Sequence, residues 1–360
     1  MAAIPKLSEV EYGRGTGGVL AGTFMACTVG SQVAVPRLLR RVRSYGALRT
    51  AVAILGTAPA LYAVPSFAVA LGTTALRGVG FGLLTVLGPL LTMESSTSLS
   101  RGRALGVYGV ATSIGSVVAV PAGVGLVDHD ALHIVLLASA LLALAGLVMT
   151  FSGVRTPPAR SAPDTLPAPA LPMPGRGLWV LTCFFLVSAA NANATTFVSV
   201  FAPAFGPAAL LAGGLCRSTS RYLIAFAIGP GRLLPLIAVT SVVATAGFAA
   251  IPLIGSHPTI VLAMAVAGIG AGGVATLALV ATMQSARENE WASSSVVWNV
   301  AFNSGMATGS FFFTGMLAFL DYRGAFVANA VLAAAASAVA ITLAGRGGRG
   351  FRAEDRRSRL

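Results

Sequence analysis

The sequence predicts an all-α, polytopic membrane protein made of two pseudo-symmetric bundles of transmembrane helices. Three observations carry that expectation. Apolar residues are 56% of the chain and charged residues only 10%, whereas about a quarter of a soluble domain is charged. The apolar residues are gathered into runs long enough to cross a bilayer core, which takes ~20 residues of helix. The chain also echoes itself. GVGFG at Gly78–Gly82, followed by Thr92-Met93, returns 190 positions later as GIGAG at Gly268–Gly272, followed by Thr282-Met283. The register holds from Gly115 to Gly305, from Gly125 to Gly315 and from Tyr108 to Trp298. A repeated set of membrane helices is the mark of a transporter built from two halves.

Eleven spans follow in order, at about 16–36, 47–64, 67–93, 104–127, 132–153, 177–203, 207–229, 233–254, 258–283, 291–320 and 323–345. Pro65, between Val64 and Ser66, marks a tight turn inside the nearly continuous apolar stretch 47–93. Residues 154–176 are rich in Pro and Ala, carry four charges and read as a flexible linker. The expected organisation is therefore a five-span N-terminal bundle over 1–153, the linker 154–176, a six-span C-terminal bundle over 177–345, and a basic tail over 346–360. The echo maps Met1 onto Asn191, within the helix that opens the second half. The first half is accordingly expected to lack most of its first helix. No secretory signal precedes the first span, because MAAIPKLSEVEYGRG has no apolar core.

The net charge is +13, but the basic residues cap apolar runs instead of lining a polar face, which argues against nucleic acid as a partner. Of the 24 basic residues, 18 fall on one side of the expected topology, including six in the tail; Lys6, Arg14 and Arg323 fall on the other, and Arg77, Arg217 and Arg221 lie inside spans. Basic loops stay in the cytoplasm, so the C-terminus is expected inside and the N-terminus outside, in the cell membrane. The three Cys lie in apolar segments, so neither a disulfide framework nor a metal site is indicated. GIGAGG at Gly268–Gly273 sits within an apolar run with no preceding strand, which excludes a dinucleotide loop. No GxxxxGK[ST] loop, nucleophile–base pair or metal-ligand cluster is visible. An enzyme is not expected, and no cofactor is implied.

The candidate site rests on polar residues within spans. Arg77 lies ~15 Å from the outer end of its helix at 1.5 Å per residue, and Arg217 and Arg221 share a helix face four residues apart. A charged Arg near the bilayer centre costs ~2.5–3.5 kcal/mol or more, so it should face protein or water. Asn299 and Asn303 share another face beside Trp298, and Asn191 and Asn193 lie mid-span. Tyr108 completes the set. Interhelical hydrogen bonding would account for each Asn on structural grounds alone. The functional reading is a positive cavity suited to a carboxylate or phosphate. No Asp, Glu or His lies deep in a span, with His129, His133, His257, Asp128, Asp130 and Asp321 all in outer loops, so no proton-coupling group is identified.

LRGVGFGLLTVLGPLLTMESSTSLSRGRALGVYG at Leu76–Gly109, the inter-half linker and the Arg-rich loop at 37–49 resemble the major facilitator superfamily of secondary transporters. The resemblance covers nearly the whole chain and implies two six-helix bundles with both termini inside; the chain as read has one helix fewer. The family's gate loop is worn here: Gly46 and Arg49 remain, but Arg43 stands where an acid is expected, leaving Glu94 to pair with Arg40 or Arg41. Arg77-Gly78-Val79-Gly80 matches the family's fourth helix, while Gly115, Pro121, Gly123 and Gly125 match the antiporter stretch only in part.

The expectation is a monomeric efflux permease for a small organic solute, an anionic one being favoured by the positive cavity, with a midplane site between rocking halves. The alternative is a non-transporting scaffold, sensor or remnant. A reporter fused after Leu360 should be active on the cytoplasmic side, and activity of an exported phosphatase at that position would overturn the orientation.

Overall fold

The computed structural model describes residues 3–39, 42–94, 111, 115, 117–127, 129, 131–152, 176–229, 231–255, 257–284 and 291–357. Helices account for nearly all of them: α1 (Ala3–Tyr12), α2 (Thr16–Leu39), α3 (Ser44–Thr57), α4 (Phe67–Glu94), α5 (Val117–Val127), α6 (Leu132–Ser152), α7 (Arg176–Phe201), α8 (Gly206–Ala227), α9 (Leu233–Ile254), α10 (Ile260–Gln284), α11 (Trp291–Leu317) and α12 (Tyr322–Arg357). Among the described residues there is no strand. The chain divides into two compact units, 1–168 and 169–360. Among the described residues, seven helices are long and apolar enough to cross a membrane by length and composition. Lipid-facing character is plainest on α6, where Leu137, Leu141, Leu142 and Met149 are exposed. Such a surface would cost about 25 cal/mol per Å² in water and nothing comparable in hydrocarbon.

Most elements lie where their apolar runs begin and end. The span expected at 233–254 coincides with α9. The span expected at 47–64 is instead the α-helix α3 followed by a 3-10 helix at Ala58–Ala63. Pro59 lies in its first turn, where a missing N–H costs little. The turn at Pro65 is closed by the Ser66 N–H donating to the Val64 carbonyl at 2.8 Å. The expected solvated tail is helical as far as Arg357, continuing α12.

The sequence echo is a structural one. Thr16 and Gly206 both open helices, Leu132 and Tyr322 do the same, and Glu94 and Gln284 both close them, each pair 190 positions apart. The packing repeats as well. In the first unit, Gly78 and Gly82 of α4 face α2 at the Phe24 and Thr28 carbonyls, while Gly80 faces α3 at the Ala51 carbonyl. In the second, Gly268 and Gly272 of α10 face α8 at the Gly213 and Arg217 carbonyls, while Gly270 faces α9 at Ala244. A Cβ at Gly78 or Gly82, or at Gly268, Gly270 or Gly272, would collide with neighbouring backbone or side chain. Small residues thus let one helix in each unit lie against two others on opposite faces, in a solvent that gives no hydrophobic drive between helices. Hydroxyls add to the seam: Thr28 donates to the Gly78 carbonyl at 3.1 Å and Ser220 to the Ile269 carbonyl at 2.6 Å.

Helix α1 was not expected from the sequence. Its residues map onto the last turns of α7, and it packs on α2. Lys6, expected in an outer loop, is a buried residue of α1, as is Glu9. The Glu9 carboxylate accepts the backbone N–H groups of Gly15 at 2.9 Å and Gly17 at 2.7 Å. Both donors belong to the start of α2, where helical N–H groups lack intrahelical acceptors and the helix dipole favours an anion. Gly13 and Gly15, with φ of 99° and 87°, turn the chain between the two helices. Glu9 therefore answers a backbone requirement that its own local sequence does not announce.

The glycine seam makes a direct prediction. Gly270→Ala should destabilise the protein by about 1–3 kcal/mol through overpacking. Gly72→Ala, on α4 with nothing within 4 Å of the added Cβ, should be neutral or slightly stabilising, by up to ~1 kcal/mol. Thermal unfolding in detergent checks the pair, and equal effects would contradict the seam.

Candidate functional site

The second unit brings three of the sequence-predicted residues together. Helices α8 and α10 run parallel, in contact at Gly213 with Gly268, at Arg217 with Gly272, and at Arg221 with Thr276. The four-residue step on both helices keeps one face of each in register. Helix α11 also packs on α10 and broadly on α7. Helices α8 and α11 both pack on α10 and not broadly on each other, and the Arg221 guanidinium reaches across this junction, the cleft of the second unit, to 5.9 Å from the Trp298 ring centroid. Gly272 sets this geometry, because any side chain there would lift the Arg217 turn away from α10.

The aromatic wall is tied to its neighbours. The Trp298 indole N–H donates to the Ala275 carbonyl at 3.1 Å, which ties the ring to α10. Phe184 of α7 lies 5.2 Å from Trp298 with planes 18° apart, and Phe302 lies 5.9 Å from it at 7°. Phe184 and Phe302 are themselves 5.8 Å apart at 15°. Three rings in near-parallel planes make offset-stacked contacts worth ~0.5–1.5 kcal/mol each. Arg221, which approaches Trp298 from α8, is exposed, and Arg217, one turn earlier on the same helix face, is half-buried. The sequence has no Asp or Glu between Arg176 and Arg287, nor between Trp291 and Leu320. The cleft is thus a cationic wall facing an aromatic one, able to hold an anion and to cover an apolar or planar group beside it.

The other expected residues are distributed differently. Asn193 is fully buried and donates from Nδ2 to Asn329 Oδ1 at 2.8 Å, while Asn329 donates to the Ala190 carbonyl at 3.2 Å. It joins α7 to α12. Asn191 is buried on α7, and Asn303 is buried and Asn299 half-buried on α11. In the first unit, Arg77 donates to the Tyr62 hydroxyl at 3.3 Å and lies 5.6 Å from that ring's centroid. Tyr62 in turn shares a 2.7 Å hydrogen bond with Thr74. The Nε of Arg77 is buried without a partner. Tyr108, Arg40 and Arg41 lie outside the described residues. Glu94 ends α4 and Gly46 lies in the first turn of α3. Arg49 bonds the Thr150 carbonyl at 3.0 Å and covers the Phe151 ring at 3.9 Å, so it ties α3 to α6 instead of meeting an acid. Among the described residues, no group of three His, Cys, Asp or Glu side chains could hold a metal ion.

Sequence reasoning overlooked Phe184, Phe302, Asn329 and Tyr62. Phe302, four residues after Trp298, shared a readable helix face. Phe184 and Asn329 gave no signal, since each meets its partner across more than a hundred residues of chain.

The family model described as Major Facilitator Superfamily matches residues 1–289. Among solved structures, the chain is similar to a mutant of the nucleoside transporter NupG, with a TM-score of 0.75 at 13% identity, covering 95% of this chain and 94% of that one. It is also similar to FucP, a Major Facilitator Superfamily transporter solved in the outward conformation, with a TM-score of 0.56 at 13% identity over 91% and 89% of the two chains. No curated protein matches.

The Asn193–Asn329 pair yields a test of its own. Asn329→Leu should lower stability by about 0.6–1.7 kcal/mol, the range of interhelical hydrogen bonds in membranes. Adding Asn193→Leu should recover much of that loss, because the orphaned partner is then gone. Strictly additive losses in a double-mutant cycle, read by thermal unfolding, would show that the pair is not coupled.

Proposed function

The chain belongs to the major facilitator superfamily and is a membrane transport protein, and from that premise we propose that it is a secondary transporter exporting a small organic anion by alternating access. The observation that carries the reading is the Arg217–Arg221 pair on one face of α8, in a helix bundle whose spans hold no carboxylate to neutralise it. Holding two cations one helical turn apart without a counter-ion is costly in a membrane. A carboxylate or phosphate that arrives as cargo offsets that cost, and bidentate contact with guanidinium groups supplies orientation. The nucleoside named for one structural neighbour is uncharged, and the excess positive charge of this cleft favours an anionic solute instead. Arg77 of α4 is a further cation proposed for the transport path, with its Nε unpartnered. Asn191, Asn299 and Asn303 are proposed as further contacts of the transport path.

Export is the proposed direction, on the partial antiporter match at Gly115, Pro121, Gly123 and Gly125. The cell membrane is the proposed location, with the C-terminus in the cytoplasm, on the distribution of arginines. A non-transporting scaffold or sensor is the competing reading. One feature favours it: Arg49, the surviving basic residue of the gate loop, is occupied by Thr150 and Phe151. Counterflow of labelled organic anions in proteoliposomes separates the two. Wild type should exchange an anionic solute, and Arg217→Gln with Arg221→Gln should cut that flux by at least about tenfold, the loss of one charge-assisted hydrogen bond, with insertion unchanged. Flux equal to wild type in the double variant would remove both arginines from the site.

A further inference from the structure

We propose that the cleft of the second unit selects planar aromatic anions, with the solute's ring stacked on the Trp298 indole and its carboxylate or phosphate on the guanidinium groups of Arg217 and Arg221. The inference rests on the anion-transport reading above and adds a substrate class to it.

Four features of the cleft converge on this chemistry. First, the Trp298 ring is held in a single orientation by its N–H bond to the Ala275 carbonyl and by Phe184 and Phe302, whose planes lie within 18° of its own. A ring fixed this way is a preformed stacking platform and loses little freedom on binding. Second, the Arg221 guanidinium stands 5.9 Å from the Trp298 centroid, at the outer limit of ~6 Å for a cation–π contact. The existing contact is weak, and the guanidinium gains by exchanging it for an anion. Third, no side-chain acceptor among the described residues bonds the guanidinium of Arg217 or Arg221, so their donor groups are available to a ligand's oxygens. Fourth, the charged and aromatic groups belong to different helices, α8 and α11, that meet chiefly through α10. A ligand therefore has to present charge on one side and a flat apolar surface on the other. An aliphatic anion satisfies the arginines but packs poorly on three parallel rings. A neutral aromatic stacks well but leaves the cations unmatched. A planar aromatic anion does both.

The size of the effect follows from the same contacts. An added aromatic pair is worth ~0.5–1.5 kcal/mol beyond its buried area, which is roughly a two- to tenfold preference in affinity. Equilibrium binding of radiolabelled benzoate to the full chain in detergent tests this, with cyclohexanecarboxylate and benzamide as competitors. Benzoate should bind saturably and outcompete both. Trp298→Phe should keep the preference over cyclohexanecarboxylate, and Trp298→Leu should abolish it while retaining weaker binding of both acids. Equal affinity for benzoate and cyclohexanecarboxylate in wild type would overturn the proposal, as would a preference that survives Trp298→Leu, benzamide matching benzoate, or no saturable benzoate binding. Failure here is distinguishable from failure of the transport reading. If both acids bind equally and both are lost in Arg217→Gln with Arg221→Gln, anion recognition stands without aromatic selectivity. If selective benzoate binding persists without flux in proteoliposomes, the ligand class stands and transport does not.

Discussion

Close approach of helix backbones at glycine is the constraint on which the rest of this structure depends. In lipid, burying a leucine against another helix gains little, because hydrocarbon tails surround it equally well. Dispersion and hydrogen bonding must hold helices together, and both demand short distances. The two units meet that demand in the same way, with α4 and α10 each presenting glycines alternately to two neighbouring helices. What is duplicated between Gly78–Gly82 and Gly268–Gly272 is therefore a packing solution. The surrounding side chains have diverged, but the close approaches at Gly78 and Gly82 recur at Gly268 and Gly272.

The same constraint positions the chemistry. Arg217 and Arg221 lie on the turns of α8 that touch α10 at Gly272 and Thr276, so the contact that holds the helices also sets the height and direction of the two cations. Opposite them, the Ala275 carbonyl that orients Trp298 belongs to the same stretch of α10. A few adjacent residues of one helix thus place the charged wall and the aromatic wall of the cleft together. Substitutions in α10 are expected to disturb both walls at once, even where no α10 side chain touches a solute.

Much of this was legible from residue spacing. Span lengths followed from apolar runs because a bilayer imposes one length scale, and α9 matched its run at both ends. The two-unit architecture was legible because the echo holds without a gap over long distances. Pairing between distant residues was less accessible. The fourfold spacing that put Arg217 beside Arg221 could not show Phe184 behind Trp298, nor Asn329 opposite Asn193, since those meetings depend on how helices pack across the bundle. For that reason the Asn329 partner of Asn193, a residue expected at the cavity from its depth, was not foreseeable. Helix α1 was missed for a different reason: AIPKLSEVEY carries Lys6, Glu9 and Glu11, and its composition reads as loop. The echo contained the correction, because offsetting these residues by 190 lays them on the end of α7.

The charges of α1 and of α8 show two opposite ways of keeping an ion inside a helical bundle. Glu9 is satisfied at once by the backbone N–H groups of Gly15 and Gly17, so its charge is consumed in joining two helices and little of it remains for a ligand. Arg217 and Arg221 have a neighbouring aromatic ring and helix backbone but no carboxylate in the surrounding spans. The first kind of charge joins two helices. The second kind forms no ion pair within the spans, and two arginines on one face repel each other. A half-buried Arg217 beside an exposed Arg221, with no carboxylate to neutralise them, is the arrangement proposed for a site that must attract an ion and later release it. The contrast between these two environments, more than the presence of arginine in a span, distinguishes the cleft of the second unit from the structural polar contacts around it.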